Sequence, residues 1–160
     1  MGLLWKKKMT EKEAAYRFVN EVMASIQQTL PVISKNLERI SGQPIPDEQD
    51  ALSQLLFAVI AIQTKALPNF LAVDQAKRMR EHILELVSPP DLGVYPQDLI
   101  MEYWSALDQS QELDPLGGAM QLLCTKLGYS SGNNTMIHLV LDRCIAILCC
   151  FKELFKDYRL

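Results

Sequence analysis

Positive charge, long apolar runs and histidine are what this sequence has little of. Lysine and arginine number 16 against 19 aspartates and glutamates, a net charge of −3, and the isoelectric point is about 5.4. Without a positive field over the whole chain there is no surface for neutralising phosphates, so nucleic acid is not an expected partner. The longest unbroken apolar run, Leu55 to Ile62, falls far short of the ~20 residues needed to span a bilayer, so no transmembrane segment is expected. A secretory leader places positive charge before a long apolar run. Here Leu3, Leu4 and Trp5 precede Lys6, Lys7 and Lys8, which points to a cytoplasmic protein. The four cysteines, Cys124, Cys144, Cys149 and Cys150, lie in apolar helical stretches rather than in loops. They read as small hydrophobic groups rather than a disulfide framework.

What the sequence does have is apolar spacing of one kind. Hydrophobic residues make up 49% of 160 and the mean hydropathy is +0.02, the composition of one globular domain. Ile137, Leu141, Cys144, Leu148, Phe151 and Phe155 recur three and four residues apart, with Val140, Ile147 and Leu154 widening the face. That period predicts a long C-terminal helix over about 134–157. Thr10 and Glu13 form a capping box opening a first helix, whose stripe runs Ala15, Val19, Val22, Ile26, Leu30, Ile33, Leu37, Ile40. Pro31 interrupts it, and a proline inside a helix removes a donor, so a kink or break is expected near Leu30. Pro46, Asp47 and Glu48 suit a first helical turn, and the helix over about 47–66 is apolar on every side, as a central helix would be.

Pro68 opens another helix, with Ala72, Ala76, Met79, Ile83 and Leu86 inward and Lys77, Arg78, Arg80 and Glu81 mostly outward. A shorter one from Pro96 to about Glu112 turns Ile100, Tyr103, Trp104 and Leu107 inward. Asp114 and Pro115 predict the start of the next, and Gly128 its left-handed stop. No segment carries the period of two of a half-buried strand. The fold expected is all-α: a compact bundle of six or seven helices over residues 10–160, with residues 1–9 flexible or interfacial.

Several motifs suggest chemistry. Gly128-Tyr129-Ser130-Ser131-Gly132 has the G-x-S-x-G pattern of a nucleophile elbow, but that device needs a strand entering the turn, and a helix enters here. No catalytic residue is assigned. His82 with Glu85, three apart, and His138 with Asp142, four apart, offer two helices that each carry a histidine and a carboxylate, and such pairs can converge on a metal in a bundle core. The plainer explanation is two solvated side-chain pairs, because Glu85 falls well away from its helix's apolar centre, His82 at the margin, and His138 and Asp142 beside their stripe. Leu3, Leu4, Trp5, Lys6, Lys7 and Lys8 could meet an anionic membrane surface weakly, but a terminus packed on the bundle is favoured.

The sequence indicates no cofactor. Its preferred function is a non-enzymatic helical interaction or regulatory module whose partner is a protein, either a second copy or another subunit. The expected contact is the strip Leu139, Ala146, Cys150 and Leu154, which lies off the main stripe of the last helix.

Overall fold

The computed structural model describes residues 7–88, 96–129, 136, 139, 140, 143 and 158–160. It is all-α in architecture. Helix α1 spans Glu11–Ser41, α2 Glu48–Ala66, α3 Val73–Val87, α4 Pro96–Asp108 and α5 Gly117–Lys126. A 3₁₀ turn, Leu67–Asn69, follows α2 directly. Two short strands, β1 (Lys7–Lys8) and β2 (Tyr158–Arg159), pair in parallel and tie the two ends of the chain together. Two residues are too few to leave a period-two signature, so no pattern in the sequence marks them.

Both halves of the capping box on α1 form. Glu13 N donates to Thr10 Oγ1 at 3.2 Å, and Thr10 N donates to the Glu13 carboxylate at 2.9 Å. The helix then runs through Pro31 as one element, so the expected break does not occur. The reason is where the lost bond falls. Proline withholds a donor from the carbonyl four residues back, that of Gln27, and both Gln27 and Pro31 are exposed, so the missing bond falls on the solvent side of the helix, where it costs least. The stripe keeps its phase, with Val22, Ile26, Leu30, Ile33 and Leu37 all buried. The helix ends at Gly42, where φ is 73°, in the left-handed region that favours glycine.

Asp47 caps α2, accepting from Gln49 N at 2.9 Å and Asp50 N at 3.1 Å. Pro46 therefore precedes the helix instead of opening it. Every residue from Gln54 to Thr64 is buried, which makes α2 the centre of the fold. By length and composition Glu48–Asn69, which holds an 18-residue window of mean hydropathy 1.4, could also cross a membrane, yet 72% of that window is buried within the chain, as in a core helix.

Pro68 lies in the 3₁₀ turn, and α3 begins five residues later. Its buried positions are Ala76, Met79, Ile83 and Val87; Ala72 and Leu86, expected inward, are exposed because the 3.6-residue period selects Val87 at that turn. Helix α4 stops at Asp108 rather than near Glu112, and α5 starts at Gly117 after a turn in which Asp114 N donates to Gln111 O. Gly128 has φ 86°, as the sequence indicates. Tyr129 next to it donates its hydroxyl to Gln43 O at 3.1 Å, pinning the end of α5 to the α1–α2 connector. Met136, Leu139, Val140 and Arg143 are helical, Met136 and Val140 buried and Arg143 exposed.

Candidate functional site

The most developed polar arrangement among the described residues lies where the C-terminal end of α2 meets α3 and α4. Its construction starts from the carbonyls left without helical partners at a helix end. The last four carbonyls of an α-helix have no partner within it, and cations near that end meet the negative pole of the dipole. Arg80, from α3, donates from Nη2 to one of those carbonyls, Thr64 O, at 3.2 Å. Trp104, from α4, donates its indole N–H to Ala61 O at 3.0 Å. The Arg80 guanidinium then lies over the Trp104 ring, 4.9 Å from its centroid, in cation–π contact. Lys65 pairs with Asp108 across the same junction. Next to Trp104 on α4, the Tyr103 hydroxyl donates to Gln54 Oε1 at 3.2 Å in a buried setting. The order of these contacts, 54 with 103, 61 with 104 and 65 with 108, makes α2 and α4 run in the same direction.

Lys65, Arg80, Trp104 and Asp108 line a cavity of about 310 Å³. Arg80 Nε is itself buried, out of reach of solvent in that cavity, and has no hydrogen-bond partner. A buried donor left unpaired costs about 1–3 kcal/mol, so its survival in a well-packed junction calls for an explanation. Sequence reading places Arg80 mostly outward on α3. Instead it is half-buried, because its long stem crosses to the indole of another helix while its head caps a third. No signal in the linear sequence marks this junction, since residues 64, 80 and 104 come together only through helix packing.

The residues singled out from sequence fall as follows. His82 Nδ1 stands 3.5 Å from the Glu85 carboxylate, within ion-pair reach but without hydrogen-bond geometry, so that nitrogen is buried and unpartnered. The Glu85 side chain is 75% exposed. His138 and Asp142 lie outside the described residues, and among the described residues no group of three or more histidine, cysteine, aspartate or glutamate side chains could hold a metal. Of the expected contact strip, Leu139 is half-buried against the chain's own core, while Ala146, Cys150 and Leu154 lie outside the described residues. So do Leu3, Leu4, Trp5, Lys6 and Ser130. Lys7 and Lys8 are exposed on β1, and Met9 beside them is buried.

On the α1–α3 side, Arg78 grips Glu11 through two nitrogens, Nη2 at 2.8 Å and Nε at 2.9 Å. The hydrogen bonds from Arg78 hold the Glu11 carboxyl below its ordinary value of 4.5, with its charge and that of His82 adding to the effect. Cys124 is a free, buried thiol that burial pushes up to about 11, which suits packing rather than reaction. Comparison of the chain with protein-family models, curated proteins and solved structures finds no match.

Proposed function

We propose that this protein is a non-enzymatic helical interaction or regulatory module that associates with a second copy of itself. The observation that supports the reading is a pair of large apolar side chains held at the surface by a short, well-anchored segment. Leu67 is fully buried and fixes the 3₁₀ turn, while Phe70 is 45% and Val73 75% exposed at the start of α3. Single exposed apolar residues are ordinary, but two within four residues on a rigid turn form the beginnings of a contact surface. The C-terminal strip of Leu139, Ala146, Cys150 and Leu154 is the second face proposed for the same role. In this reading the chain beyond Met136 continues as a sixth helix, supported by the helical state of Met136, Leu139, Val140 and Arg143. A bend of α1 at Pro31 accompanies it, and α2 acts as a core helix.

Light scattering at a single high concentration tests the assignment of the surface. Val73→Asp lowers the average mass toward that of one chain if the turn is the contact, and Ala146→Glu does so if the C-terminal strip is. A wild-type chain that scatters as a monomer, with neither substitution altering it, refutes the reading.

A further inference from the structure

We propose that the cavity between α2, α3 and α4 binds a carboxylate group, received by the Arg80 guanidinium with Lys65 beside it. The first argument is preorganisation. Arg80 is stacked on Trp104 and tied to Thr64 O, and Trp104 is itself tied to Ala61 O, so the guanidinium is held in place before any ligand arrives. The second is spare donor capacity. A guanidinium has five N–H groups in a fixed fork. Capping α2 engages one N–H of Nη2, and among the described residues Nη1 makes no hydrogen bond. An oxygen pair entering from the cavity meets the outer edge of the fork, formed by Nη1 and the remaining Nη2 N–H.

Charge and size narrow the ligand. Lys65 is already matched by Asp108, so two cations face one carboxylate and a single positive charge is left over. One carboxylate balances that charge; a phosphate carries more than is needed. The cavity's 310 Å³ is at the small end of ligand sites, which run from about 300 to 1,000 Å³, and suits a short acid or one acidic side chain. Both sources present the same group. This inference does not depend on self-association, because Val73 and Phe70 do not line the cavity.

Trp104 supplies the readout, since it lines the cavity and only Trp5 shares its fluorescence. In a Trp5→Phe chain, Trp104 emission is followed during titration with acetate, with a glutamate-containing peptide, with inorganic phosphate, and with potassium chloride at matched ionic strength. A saturable change with acetate, with the peptide or with both supports the proposal, and which of them acts tells a free acid from a partner's side chain. Arg80→Lys keeps the charge but loses the fork, and it weakens that binding by about tenfold or more, the loss expected for one charge-assisted bond. Asp108→Asn frees Lys65 and tightens binding, which decides the matter if Arg80→Lys fails to fold by circular dichroism. No saturable change beyond that given by chloride, tighter binding of phosphate than of acetate, undiminished binding by a folded Arg80→Lys chain, or unchanged or weaker binding by Asp108→Asn would each overturn it.

Discussion

The contact of α1 with α3 and that of α2 with α4 solve the same problem in opposite ways. At the first, apolar residues such as Phe18 and Met79 are fully buried, and the polar link, Arg78 with Glu11, lies at the exposed rim. At the second, an exposed pair, Lys65 with Asp108, is joined by polar links that run inside: Tyr103 to Gln54, Trp104 to Ala61 O, and Arg80 to Thr64 O from the adjoining α3. A rim link can be lost to water with little consequence. An interior link cannot, because its partner is left desolvated. The α1–α3 contact is therefore a fastening, whereas the α2–α4 contact dictates which groups face which, and that is where a preorganised cavity arises.

Substitutions can break or sharpen this contrast. The largest losses come from the shared apolar core and do not distinguish the two contacts. Phe18→Ala on α1 costs about 3–5 kcal/mol and Ile60→Ala on α2 about 2–5 kcal/mol in denaturant unfolding, since both side chains are fully buried. The next effect separates them. Tyr103→Phe leaves the buried Gln54 oxygen without its donor and costs about 1–3 kcal/mol, measured the same way; a neutral outcome would mean that water reaches Gln54.

Smaller still is Thr10→Ala, which removes the cap from the start of α1 and costs about 1 kcal/mol in thermal unfolding. Smallest is Arg78→Met at the rim, a change near the scatter of surface substitutions and one that fades further as salt is raised. Its pH dependence has a definite sign. The folded-state pKa of Glu11 lies below its ordinary 4.5, so the contribution is complete above that value and is lost as pH falls through the folded-state pKa. The difference between wild type and Arg78→Met should therefore close on acidification, as followed by melting curves from neutral pH downward. A gap that widens in acid would contradict the assignment.

How much of this was legible beforehand depends on whether the signal was local. The capping box at Thr10 and Glu13, the apolar circumference of α2 and the stop at Gly128 are written within a few residues of one another, and the structure has all three. Pro31 leaves α1 unbroken because a proline's cost depends on what its orphaned carbonyl faces, and the exposure of Gln27 is a property of the assembled bundle. Arg80 misled for a related reason. Its neighbours Lys77, Arg78 and Glu81 are exposed, and nothing adjacent in sequence tells which member of a charged run will fold back over an aromatic ring on a different helix. Leu86 and Val87 exchanged places because a helical period read from the start of a segment drifts by a fraction of a turn at its end.

Self-association is the claim on which the functional account rests, and sedimentation equilibrium across a wide concentration series tests it most directly. The account expects the weight-average mass to rise from 18.1 kDa toward that of two chains as concentration increases. A mass that stays at 18.1 kDa throughout the series contradicts it.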